Sequence, residues 1–356
     1  MMNRLIKKLF FLILSVGVLT ALPLPAFSAQ SSPLAPFIEG AKKEGSVNLG
    51  LTLRAKSHGK PAGELYLAAF QKRYPFLKVN FKRVGGARER ERILTEMTAG
   101  VVNFDVITVS ETMVNTIISA KLPRVVDWQK LGVPKFLIHP QNVGVIQRPS
   151  VYGIGYNRDM IPDEVAKTFT WETCTDPKWK GKTAMDDRPR HLELLYSDSA
   201  WGREKTVDYA KRWAANKPAF EAVRSTATEK LAIGTYAMIC GLPRRQVEDI
   251  RVNTGSKSIG IVYPEPVPVG TGDPIYVPSA AKHPNAAILF IVWSTTQEAQ
   301  DLIEVADFTG HPAIEGTAAN KALKGKKVFY SPWEDVGKAD EHLAEILRAM
   351  GMPVVR

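Results

Sequence analysis

Cysteine is nearly absent: Cys174 and Cys240 are the only two in 356 residues. Two thiols cannot complete a four-ligand zinc site by themselves. In an oxidising compartment they could pair, but spacing alone does not fix connectivity; a buried core thiol at each position is the default expectation and a disulfide the alternative. Common catalytic signatures are missing too. No His-Glu-x-x-His helix, Gly-x-Ser-x-Gly elbow or phosphate-cradling Gly-rich lysine loop occurs, which removes the commonest hydrolase signatures. Asp186 and Asp187 are adjacent and on a strand would point to opposite faces, a poor acid–base pair. No enzyme is therefore expected. Internal repeats, low-complexity tracts and long Ser/Thr linkers are absent, against an adhesin or scaffold, and no aromatic-interleaved basic motif points to nucleic acid.

What is present begins at the N-terminus. Arg4, Lys7 and Lys8 precede an apolar run over 9–22, which breaks at Pro23 and Pro25. That order is that of a cleavable secretory signal, here assigned to residues 1–29 with cleavage after Ser28 or Ala29; an uncleaved anchor is the alternative. The run is shorter than the ~20 residues of a spanning helix, and no second such run follows. Without a cysteine at the cleavage point, a lipid-modified mature end is not expected, and the mature protein is placed free in a bacterial periplasm. Removing the signal lowers the formal charge from +11 to about +8, which favours acidic partners without naming one. The remaining length suits about two domains.

Apolar periodicity gives the organisation. Val47, Leu49, Leu51 and Leu53 alternate over 46–54 as in a buried strand. A helix is expected over 64–74, ending before Pro75, then a strand over 77–84 closed by Gly85-Gly86, a helix over 87–100 stopped by Gly100, and a strand over 104–109. Such alternation predicts a parallel sheet wrapped by helices, with a binding crevice beyond the carboxyl ends of its strands. A second α/β unit is expected from residue 151, with strands over 151–156, 182–186 and 258–263, helices over 196–213 and 218–231, and a turn at Cys240-Gly241-Leu242-Pro243. Prolines 264, 266 and 268 mark a hinge, followed by helices over 285–293 and 298–306.

Several motifs fall in order along this frame. Ala280-Ala281-Lys282-His283-Pro284-Asn285-Ala286-Ala287 precedes Ile291-Val292-Trp293-Ser294 and Glu298-Ala299-Gln300. Upstream are Phe104-Asp105-Val106, Tyr156-Asn157, Trp171-Glu172 and Asp176-Pro177-Lys178-Trp179-Lys180-Gly181-Lys182. Together they resemble the extracellular solute-binding proteins that feed ABC importers, with the ferric-iron-type branch the nearest. The resemblance implies a two-lobed α/β periplasmic binding protein-like fold (type II, cluster D-like) with two hinge crossovers. Lobe 1 would comprise 30–150 plus 270–320, lobe 2 151–269, and 321–356 would pack on the lobes. It implies ABC permease subunits as partners and a monomer. His283-Pro284-Asn285 reads as a helix start, with Asn285 or a neighbour capping.

If the fold holds, strand-end loops reach the cleft. They carry Thr52, Arg54, Gly85, Gly86, Arg88, Ser110 and Glu111 in lobe 1, and Tyr156, Asp187, Arg188, Tyr236 and Tyr263 in lobe 2 or at the hinge. Gly85-Gly86 before a helix offers N–H groups to an anion with Arg88 as counter-charge, or is simply a tight turn beside a solvated helix face. Arg54, Lys56 and His58 form one basic loop and Arg188 and Arg190 another in the opposite lobe; facing arginines from the two could clamp a carboxylate or phosphate, so the expected ligand is a small anionic or polar solute, with no cofactor and no resident metal. Relatives of the ferric branch present adjacent tyrosines where this chain has Leu242 and Pro243, which puts tyrosinate iron coordination in doubt. Asp186, Asp187 and His191 could form a different metal site, or an ordinary polar turn.

Overall fold

A computed structural model describes residues 32–54, 61–110, 113–186 and 188–354; the signal assigned to 1–29 lies outside them. The chain begins α1 (Ala35–Glu44), β1 (Ser46–Leu51), α2 (Ala62–Arg73), β2 (Lys78–Arg83), α3 (Ala87–Thr98), β3 (Val106–Thr108), α4 (Val114–Ser119) and β4 (Gly144–Val145). It continues β5 (Ser150–Asn157), α5 (Asp163–Ala166), β6 (Thr183–Asp186), α6 (Arg190–Leu195), α7 (Gly202–Ala215), β7 (Ala219–Glu221), α8 (Arg224–Ala232), β8 (Met238–Pro243), α9 (Arg244–Thr254), β9 (Ile259–Val262) and β10 (Val267–Gly270). Finally come β11 (Ile275–Tyr276), α10 (Pro284–Ser294), α11 (Gln297–Asp307), α12 (Ala318–Ala322), β12 (Val328–Tyr330), α13 (Trp333–Val336) and α14 (Ala339–Ala349). No helix among the described residues is long and apolar enough to cross a membrane.

Two sheets organise these elements. The first runs β2-β1-β3-β11-β4, with β1, β2 and β3 parallel, as the βαβ alternation requires, and β11 antiparallel to both neighbours. The second runs β12-β10-β5-β8-β6-β7, with β9 also paired to β5. The chain passes between sheets at 146–149 and again at 271–274, and a later excursion adds β12 to the second sheet. Val47, Leu49 and Leu51 of β1 are fully buried against α1, α2 and α10. There Phe70 meets Phe290 edge-on at 5.1 Å and Tyr66 lies 4.8 Å from Trp293, contacts worth roughly 0.5–1.5 kcal/mol each beyond their buried area. A separate core around Ile154, Trp171, Tyr209 and Trp213 underlies the second sheet, and α14 closes it through Ile346.

Local expectations fail where apolar periodicity is weak. The helix expected over 196–213 starts only at Gly202, whose φ of +75° breaks the chain after Trp201. The helix expected over 218–231 is instead a short strand, β7, and then α8. Residues 240–243, expected as a turn, are the buried end of β8.

Cys174 and Cys240 are joined in a disulfide, with Cα atoms 6.3 Å apart. The default expectation of two core thiols is thus overturned: β8 packs on the 3-10 turn at Trp171–Thr175, which brings the two sulfurs together inside the core.

At α10 the His-Pro-Asn start holds, but the capping group comes from elsewhere. Glu44, at the end of α1, accepts hydrogen bonds from the N–H groups of Asn285 (3.0 Å) and Ala286 (2.8 Å). His283 is a structural residue, its Nδ1 2.8 Å from the buried Asp105 carboxylate. Because Glu44 serves two orphan N–H groups at the positive end of a helix dipole, Glu44→Ala should cost about 1–2 kcal/mol. Urea unfolding would read this as a lowered midpoint with unchanged slope; an unmoved midpoint would contradict the assigned capping role.

Candidate functional site

A cavity of about 210 Å³ lies where the crossings and the two sheets meet. Thr52, Asp273 and residues 308–310 contribute from the side of the first sheet. The second contributes Tyr152 and three helix starts: Arg190 of α6, Arg224 of α8, and Arg244 and Arg245 of α9. Arg148 enters from the first crossing. The local reason for this arrangement is repeated. A strand delivers the chain to the cavity and a helix departs from it, with an arginine in the first turn. Neither α8 nor α9 has a side-chain cap, so their orphan N–H groups and the positive ends of their dipoles are left for whatever occupies the space.

Each cavity arginine is oriented by a carboxylate. Arg148 donates to Asp307 (2.5 Å) and to the Thr52 hydroxyl (3.1 Å). Arg245 lies 3.0 Å from the other Asp307 oxygen, Arg190 is bonded to Glu193 (3.3 Å), and Arg224 is ion-paired with Asp186. Arg244 donates to Glu304 (2.6 Å) and to the carbonyl of Phe308 (2.8 Å), tying α9 of the second sheet to the end of α11 on the first. Held in this way, a planar guanidinium keeps its remaining N–H groups in fixed directions, which suits carboxylate or phosphate oxygens. Burial pushes the Tyr152 phenol up to about 12 and raises the Glu193 carboxyl above its usual range. Tyr152 is therefore a neutral phenol at physiological pH in the metal-free protein.

Of the residues singled out from sequence, Thr52 and Arg190 line this cavity; the others described lie elsewhere. Arg54 reaches Asp249 at 3.7 Å. The Gly85 N–H donates to Glu89, and Gly85, Gly86 and Arg88 border an open surface recess with Lys82 and Arg92, away from the cavity. Ser110 follows β3, next to Val109, whose N–H donates to Pro274. The Tyr156 hydroxyl donates to Asp163 at 2.6 Å, and that of Tyr236 to Glu221. Tyr263 packs on the core of β10 and β12, and Arg188 pairs with Asp340 on the surface. Glu111 and Asp187, like Lys56 and His58, lie outside the described residues.

Of the alternative metal site, only Asp186 and His191 lie among the described residues. Asp186 is engaged by Arg224. His191 is buried between Trp171 and Trp213, where desolvation pushes its pKa down to about 3. Among the described residues no three His, Cys, Asp or Glu side chains are grouped to hold a metal ion. Sequence reasoning missed Arg148, Arg224, Arg244, Arg245 and Glu193. One signal was present in Pro189-Arg190 and Pro243-Arg244, where proline ends an extended segment and arginine opens a helix.

Two α/β halves, joined by paired crossings and enclosing a polar cavity between them, define a two-lobed binding protein. The chain belongs to the bacterial extracellular solute-binding protein family, whose model matches residues 66–329. Iron uptake protein A1 of Synechocystis sp. is 25% identical over 237 residues, which is 62% of this chain and 63% of that protein. The chain thus matches less than two thirds of that relative's length. Among solved structures, iron-bound HitA from Pseudomonas aeruginosa superposes with a TM-score of 0.69 at 17% identity, over 86% of this chain and 99% of that one. Trichodesmium IdiA (FutA), in complex with iron and citrate, gives 0.68 at 19% identity, over 87% and 100%. At these identities the structural likeness is one of fold, and it is the two-lobed periplasmic binding protein-like fold expected from the motifs.

Proposed function

We propose that this protein is the receptor of an ABC importer: it captures a small anionic solute between its lobes and presents it to the permease subunits. The observation that carries this reading is the cavity itself, where five arginines and two uncapped helix starts converge. In this reading residues 1–29 are a cleaved export signal, the mature protein works as a periplasmic monomer, and it is not an enzyme. Lobe 1 is 30–150 with 270–320, lobe 2 is 151–269, and 321–356 packs on both. Because both lobes line the cavity, a bound solute contacts both and shifts the population toward the closed state.

A second reading, iron uptake, is favoured by the iron named in the matched relatives. Against direct coordination stands the absence, among the described residues, of any three His, Cys, Asp or Glu side chains grouped to hold a metal ion. An arginine-lined cavity accommodates a metal best inside an anionic chelate. Thermal unfolding of extensively dialysed protein separates the readings. Carboxylate, phosphate and phosphonate anions should stabilise it, by about 2.7 kcal/mol at a hundredfold excess over Kd. Stabilisation by uncomplexed ferric ion, with no response to any anion, would reverse the assignment.

A further inference from the structure

We infer that the two halves are clasped by the chain's own ion pairs, so that the protein rests closed before any solute binds; this goes beyond the receptor reading and holds whatever the solute is. The clasp joins one helix of each half. α11 belongs to the first, where Ala299, Ile303 and Ala306 pack in the same core as Tyr66 and Phe70. α9 belongs to the second, where Val247 and Ile250 pack with Ile239 and Leu242. The first turn of α9 meets the last turn of α11. Arg244 donates to Glu304 Oε1 at 2.6 Å and to the Phe308 carbonyl at 2.8 Å, and Arg245 lies 3.0 Å from Asp307. One turn further along α9, Asp249 lies 3.7 Å from Arg54, which follows β1 of the first sheet. All of these are groups of the protein itself, so the contacts form without a ligand.

Glu304 carries the clasp, although it is not one of the residues lining the cavity. A buried ion pair holds its partners together only when further hydrogen bonds serve the rest of both groups. That condition is met. Glu304 Oε2 accepts the Gly310 N–H at 3.0 Å, and Arg244 has the Phe308 carbonyl as its second acceptor. The Arg244 and Glu304 side chains are only 9% and 15% exposed, so salt and water screen their attraction little. The backbone is shaped for the contact as well: Phe308 ends α11 at a φ of +56° with its carbonyl on Arg244, a left-handed conformation uncommon outside glycine. Removing the charge of Glu304 leaves a buried guanidinium without its counter-ion, a costly state that separation of the halves relieves by returning Arg244 to water. The solute-driven shift proposed above then acts on a population already weighted toward the closed form.

Small-angle X-ray scattering of the mature protein, in a preparation whose native mass spectrum shows the bare chain, tests this without a ligand. The wild-type curve should match the one calculated from this structure, with a radius of gyration near the ~20 Å of a compact chain of this length. Glu304→Gln keeps an acceptor for Gly310 and removes the charge facing Arg244; it should raise the radius by on the order of 1 Å against that ~20 Å. Val305→Gln, on the same helix at a position 60% exposed, should leave the curve unchanged. Arg54→Gln removes the outer pair without touching α11 and should expand the protein in the same direction by a smaller amount; it decides the question if Glu304→Gln does not fold. Wild-type protein already expanded to the Glu304→Gln radius, or clasp variants that scatter like a compact wild type, would overturn the clasp. Equal expansion in Val305→Gln would overturn it too, because the effect would then belong to α11 as a whole.

Discussion

Arg224→Ala should weaken binding of the best anion by ~10-fold or more, because the anion loses a charged hydrogen-bond donor, a contact worth roughly 1.5–3 kcal/mol. Two effects act in the same direction. The first turn of α8 loses a cation that faces the cavity, and Asp186, nearly buried and engaged by Arg224, is left as an uncompensated negative charge in its place. Adding Asp186→Asn to the Arg224→Ala protein removes the second effect and should recover part of the loss, a coupling that a double-mutant cycle isolates. Arg188→Ala is the control. That side chain is about half exposed and pairs with Asp340 on the surface, so its loss should change affinity by no more than about twofold. Isothermal titration of the four proteins settles the matter. Equal affinity of the wild-type and Arg224→Ala proteins would remove α8 from the site.

The contrast between these two arginines shows where the sequence stops being informative. Arg188 follows β6 and Arg224 follows β7, the neighbouring strand of the second sheet, and charge and position alone give no reason to prefer Arg224. What separates them is tertiary: Arg224 starts a helix beside the cavity, whereas Arg188 turns outward to α14. Gly85-Gly86 is a similar case. The motif suits an anion, but the Gly85 N–H is already taken by Glu89 one turn into α3, and the recess there is open surface. The fold was far more legible. The strands around Leu49, Phe81 and Ile107, the helices between them, and the α10 start at Pro284 follow from alternation and stop signals, which are local. Legibility fades over 196–231, because β7 is three residues long and not fully buried, and carries no alternation to read. The α10 cap was hidden for another reason: Glu44 lies 241 residues from Asn285.

Opening the Cys174–Cys240 bridge, by reduction or by a Cys174→Ala/Cys240→Ala replacement, should cost about 4 kcal/mol of stability. The bridge spans 66 residues, and closing a loop of that length removes about that much chain entropy from the unfolded state. The replacement leaves small apolar side chains in the same core, among Ile154, Trp171 and Trp213, so the cavity term stays small beside the entropic one. How far the melting temperature falls reports on cooperativity. With an unfolding entropy of ~2.1 cal/mol/K per residue, the loss corresponds to ~6 °C if the whole chain melts as one unit, but to ~15 °C if the second half unfolds separately. Differential scanning calorimetry of the oxidised, reduced and doubly replaced proteins distinguishes these cases, and the reduced and doubly replaced forms should agree. If the doubly replaced protein melts with the oxidised wild type, the bridge contributes nothing measurable and the entropic account is wrong. A loss of the expected size would tie the stability of the second half to the oxidising compartment that the N-terminal segment was read to reach.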